Sequence, residues 1–176
     1  MTKIDVSGIV IEHIKTLRNA SSQKLSPIDV FLFYGLPVLL GGMAFWFGVF
    51  VVSRDIYNIS VTFFGIFIAL FINIQVAVFG VFQRQWRVSD DPRIAELQQE
   101  KLLQRRDLLA EINSNISYLI VVSCMALVVF LILFVLDAKG NILGAMSAMI
   151  YFHFLLTLLM VVKRAHALFA REYRGE

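Results

Sequence analysis

Residues 69–87 read ALFINIQVAVFGVFQRQWR, a run that is apolar for most of its length, carries Asn73 and Gln75 near its middle, and ends in arginine and tryptophan. Read as a helix, this stretch and the residues before it place Thr62, Gly65, Ala69, Asn73, Ala77, Gly80, Arg84 and Arg87 on one stripe, at steps of three and four. That stripe is small and polar. The opposite side carries Phe64, Phe67, Phe71, Ile74, Val78 and Phe82 and faces either lipid or other helices. An amide inside a hydrocarbon layer must find a partner or water, so the stripe fits two arrangements. One is a close-packed seam in which Asn73 bonds a neighbouring helix. The other is a pore wall, with Thr62, Ala69, Asn73, Gln75, Ala77 and Gly80 lining it and Arg84, Trp86 and Arg87 at the mouth.

The rest of the chain places this stretch in a membrane. Of 176 residues, 59% are hydrophobic and only 16% charged, against about 45–50% apolar and about 25% charged in soluble domains. Four apolar runs, Ile28–Val52, Ile59–Phe82, Ser117–Leu136 and Asn141–Val162, each reach the ~20 helical residues that a hydrocarbon core requires. They are continuous rather than alternating, which excludes a small membrane β-barrel. The expected fold is an all-α integral membrane protein of four transmembrane helices, arranged as two hairpins with helical extensions and assembled as a homo-oligomer. Its segments are an interfacial helix at 1–27, hairpins at 28–82 and 117–162, a helical segment at 83–116 and a basic tail at 163–176.

Charge sets the expected orientation. Fourteen of the sixteen Lys and Arg lie in the N-terminal segment, between the second and third spans, or in the tail; Arg54 and Lys139 alone occupy the other two loops. Basic residues near span ends mark the cytoplasmic side, so both termini and the 83–116 segment are expected in the cytoplasm of a bacterium, with the spans in its inner membrane. The outer loops, SRDIYN and DAKG, are short enough for tight antiparallel hairpins. No cleavable secretory signal is legible in the first 27 residues. Val6, Val10, Ile14 and Leu17 share a face there, which predicts a helix lying at the interface. The 83–116 segment starts a helix at Asp90-Asp91-Pro92; its six bases and six acids cancel, and it reads as a solvated extension.

A weaker polar stripe runs along the fourth span through Met146, Met149, His153, Thr157, Met160 and Arg164. His153 has no second histidine on another span, since His13 and His166 fall at or beyond the membrane edge, so neither haem nor zinc is expected. Gly144, Ser147 and Ala148 read as a close helix approach. Cys124, the single cysteine, is read as a small apolar packing residue. No Asp or Glu lies deep in a span, which argues against a proton-coupled exporter. Neither a phosphate-cradling glycine loop nor a nucleophile–His–acid set is present, so no enzymatic activity and no cofactor are expected.

In NISVTFFGIFIALFINIQVAVFGVFQRQWR (58–87) and MSAMIYFHFLLTLLMVVKRAHALFARE (146–172) the chain resembles small four-span membrane effectors of bacterial anti-phage, abortive-infection systems of the RexB kind. Others of this class are the tetrameric channel component of the Hailong system, held shut by DNA oligomers from a nucleotidyltransferase, and the membrane subunit of Kiwa. The resemblance lies in layout, over nearly the whole chain. It implies a regulated ion channel, a tetramer by preference, that depolarises an infected cell. A nucleotide, a DNA oligomer, or a cytosolic partner such as a nucleotidyltransferase or nuclease would gate it. A non-conducting anchor that recruits a cytosolic effector is the alternative.

Overall fold

A computed structural model describes residues 5–18, 25–50, 52–83 and 92–174. It is almost wholly helical. Helix α1 spans Ser7–Lys15. The first long helix, Pro27–Phe47, consists of α2 (Pro27–Val30), a wide π turn (Phe31–Gly35) and α3 (Leu36–Phe47). Helices α4 (Arg54–Phe82), α5 (Pro92–Val135) and α6 (Asn141–Arg174) follow. Among the described residues four helices are long and apolar enough to cross a membrane, which marks a multi-pass membrane protein by length and composition.

Local chemistry sets the helix ends. The Ser26 hydroxyl accepts from Asp29 N–H at 3.3 Å ahead of Pro27 at the first helical position. Gly48, at φ 60°, ends the first helix in the left-handed conformation that glycine adopts without a Cβ penalty. Ser53 caps α4 by accepting from Ile56 N–H at 3.4 Å. Arg54–Asn58, expected in an outer loop, are therefore the first turns of a helix, and the link is Gly48–Ser53.

Packing does not follow chain order. Helices α3 and α4, joined by that short link, do not lie on one another among the described residues; α3 packs on α6 and α4 on α5, while α5 and α6 also pack together. The expected first hairpin is consecutive in sequence but not a packed pair. Small residues explain the choice. A Cβ on Gly41 would stand 3.0 Å from the Ala145 carbonyl oxygen and 3.2 Å from Met149 Cβ, and one on Gly144 would collide with the Phe50 carbonyl. Helix α3 and the link beyond it approach α6 closely only because those side chains are absent.

On the other side, α4 turns Phe63, Phe64, Phe67 and Phe71 inward. Phe64 and Phe71 are buried with Phe130 of α5 and Phe154 of α6; Phe64 stacks on Phe130 at 5.7 Å and meets Phe154 edge-on at 5.3 Å. Lipid is as apolar as these rings, so shape and dispersion drive the contact rather than escape from water. The Tyr151 hydroxyl, donating to Ser60 Oγ at 2.8 Å, ties α6 to α4 within the same cluster.

Helix α5 runs unbroken through the boundary expected at residue 116. Leu109, Ile112 and Ile116 are buried in the main core and Asn115 is fully buried, so this part of the supposedly solvated segment belongs to the bundle. At about 1.5 Å per residue, α5 is roughly 66 Å long, more than twice the ~30 Å hydrocarbon thickness.

Candidate functional site

Polar side chains collect where α1, the π turn, α5 and α6 converge. The geometry begins with Pro37. In an α-helix its N–H would bond the Phe33 carbonyl four residues back, but proline has no N–H. His153 of α6 supplies the missing donor, its Nδ1 lying 2.8 Å from Phe33 O. A carbonyl only accepts, so Nδ1 carries the proton. The other nitrogen, Nε2, therefore accepts from the Tyr118 hydroxyl of α5 at 2.8 Å. One imidazole thus joins three helices in a fixed neutral tautomer. Thr157, fully buried, donates to His153 O at 2.9 Å one turn on.

Tyr118 also carries α1. Its ring stacks face to face on His13, centroids 3.8 Å apart and planes 1° from parallel. His13 is 0% exposed, and its Nδ1 lies 2.7 Å from Asn115 Oδ1. Thr16 Oγ1 is placed to donate to His13 O at 2.7 Å and to Asn115 Oδ1 at 3.0 Å. Arg164 of α6 closes the arrangement: its Nη2 donates to Thr16 O at 2.6 Å, at the C-terminal end of α1, and its Nη1 lies 3.4 Å from Glu111 Oε2. A guanidinium at a helix C-terminus satisfies an orphan carbonyl and complements the helix dipole. On the facing side chains of α1 and α5, His13 Nε2 and Asn115 Nδ2 are buried without a hydrogen-bond partner among the described residues. Burial holds the His13 pKa down to about 4, with the Arg164 charge adding to that and the Asn115 hydrogen bond opposing it.

Beside this cluster, a groove of about 400 Å³ opens between the first long helix and α5, with Tyr34, Val38, Val122, Met125, Met149 and His153 among its walls. Val10 of α1 also lines it.

The second-span stripe lies elsewhere. Thr62, Ala69, Asn73, Ala77 and Gly80 are all exposed on the outer face of α4. Thr62 Oγ1 donates to Asn58 O at 3.0 Å and Asn73 Nδ2 to Ala69 O at 2.9 Å, both within their own helix. Gln75 points the other way: its amide donates to Ser117 Oγ at 2.9 Å and Asn113 Oδ1 at 3.2 Å, so it bridges α4 and α5 instead of joining the stripe. Arg84, Trp86 and Arg87 lie outside the described residues.

His153, Thr157 and Arg164 of the fourth-span stripe share a face, which is turned into the protein and met by α1 and α5. His13, expected at or beyond the membrane edge, is buried within the protein. The signal was available: His13 follows Val10 by three residues and precedes Leu17 by four, on the apolar side of α1. Asn115 and Tyr118 belong to NSNISY, a polar run that reads as solvated, and only the fold buries Asn115 and Tyr118 while leaving Asn113 exposed.

Comparison with protein-family models, curated proteins and solved structures finds no match for this chain.

Proposed function

We propose that the chain is the subunit of a homo-oligomeric ion channel, a tetramer by preference, in the bacterial inner membrane with both termini cytoplasmic. The observation that carries this reading is the outer face of α4. Asn73 keeps one bond, to its own helix, and leaves its carbonyl oxygen and second N–H without a partner among the described residues. In lipid an unpartnered amide costs several kcal/mol, so this face belongs against another copy or against water. Repetition of Thr62, Ala69, Asn73, Ala77 and Gly80 around an axis gives a narrow wall with an amide ring. Gln75 is engaged with α5 and falls out of the lining. Phe64 and Phe71, on the opposite side of α4, are used up in the core of one subunit.

The orientation rests on the distribution of Lys and Arg. The role in phage defence rests on the resemblance to abortive-infection effectors alone. On that reading an anionic ligand, such as a nucleotide or DNA oligomer, or a cytosolic protein acts at Arg84, Trp86 and Arg87. The part of α5 that extends beyond a hydrocarbon core offers a surface for such a partner. That same length is what favours a second reading, a non-conducting anchor that recruits a cytosolic effector.

Ion flux through the purified protein in liposomes separates the two. Asn73→Leu is expected to reduce conductance several-fold while the oligomer measured by native mass spectrometry persists. If the oligomer falls apart instead, by about 0.6–2 kcal/mol per lost contact, Asn73 is interhelical glue. An absence of flux from the wild-type protein leaves the anchor.

A further inference from the structure

We infer that α1 is an acid-released strap: proton uptake by His13 undocks Ser7–Lys15 from the bundle and uncovers Asn115, Tyr118 and the neighbouring end of the groove. The inference does not depend on conduction.

The strap is short and its attachment is local. Nine residues do not hold a helix in water without tertiary contacts. In α1 itself only His13 is buried; Leu17, just beyond it, packs with Phe33 and Met160. The imidazole is thus a large part of what fastens the helix, through its stack on Tyr118 and its bond to Asn115.

A second proton has no acceptor there. Nε2 is buried and unpartnered, so an imidazolium would place one N–H against nothing. The charged and titratable groups around it offer no relief. On α1, Glu12 is paired with Lys15 at 2.7 Å. On α5, Tyr118 is neutral and Glu111 is shared with Arg164. On α6, both His153 nitrogens are engaged and Arg164 is itself a cation that repels a second one. From the first long helix, Tyr34 offers only a phenol and Asp29 acts on Arg164. The direction follows. The docked imidazole titrates near 4, whereas a free one titrates near 6.5. Above that ordinary value docking has its full strength. As the pH falls through 6.5 toward 4, the undocked form binds the proton better and gains population.

Spin labels on the full-length chain in lipid nanodiscs read this out. With Cys124→Ser to remove the native thiol, labels at Ile11→Cys and Leu103→Cys, both exposed, report the strap. Labels at Ile59→Cys and Leu136→Cys report the bundle. The strap pair is expected to show one narrow distance at about pH 8 and a broad, shifted distribution by about pH 5, while the bundle pair stays narrow. His13→Gln, neutral throughout, should keep the strap narrow at both values. Asn115→Asp gives the imidazolium a carboxylate partner and should move release to lower pH. An unchanged wild-type strap distance at about pH 5 overturns the inference, as does simultaneous broadening of the bundle pair. Release in His13→Gln over the same pH window overturns it too. If His13→Gln is undocked at every pH, Asn115→Asp decides: a lower release pH supports the strap, and an unmoved one refutes it.

Discussion

Replacing Gly144 by alanine is expected to lower the stability of the folded chain by about 1–3 kcal/mol, the usual cost of overpacking, and Gly144→Val by more. The added Cβ would meet the Phe50 carbonyl, a backbone group that cannot swing aside as a side-chain end does. Either α6 moves away from the link after α3 or the link is displaced, and both open the seam where Gly41 lies against Ala145 and Met149. Gly42→Ala is the matched control. Its added methyl meets nothing within 4 Å, and alanine gains roughly 0.5–1 kcal/mol over glycine inside a helix. Reversible unfolding in mixed micelles, with all three variants in one series, measures the contrast. Equal stability of Gly144→Ala and Gly42→Ala would mean that α3 does not approach α6 as described.

His153→Leu should be comparably damaging, by about 2–5 kcal/mol, because two hydrogen bonds go and two groups are left behind. Each buried polar group deprived of its partner costs about 1–3 kcal/mol. Here they are the Tyr118 hydroxyl and Phe33 O. The second offers an internal check. Phe33 O depends on His153 because Pro37 has no N–H to give, so Pro37→Ala restores a backbone donor at that position. In a double-mutant cycle, His153→Leu should cost about 1 kcal/mol less in the Pro37→Ala background than in the wild type. Strict additivity would show that the proline and the histidine are unconnected.

These two variants also divide what was legible in the chain from what was not. The apolar runs are a one-dimensional property fixed by the thickness of hydrocarbon, so four long helices could be read directly, as could the turn between α5 and α6. Gly144, Ser147 and Ala148 announced a close approach, since small residues in a span have few other uses. Their partner was not announced. Short links suggested that neighbours in sequence pack together, yet α3 leans on α6 and leaves α4.

Periodicity separated the two faces of α4 but did not say which of them turns inward. Phenylalanines suit lipid and core alike, and only packing decided that Phe64 and Phe71 turn inward while Thr62, Asn73 and Gly80 stay outside. In water the hydrophobic effect sorts the faces of a helix and writes that sorting into the sequence. In a bilayer the solvent is itself apolar, so the record is faint. The polar cluster is the extreme case. His13 and Asn115 bond across 102 residues, and the need of Phe33 O for His153 arises from a proline four positions away. Composition could say that a buried imidazole or amide must find a partner. Which partner it finds depends on how α1, α5 and α6 come together, and that was settled only by the tertiary fold.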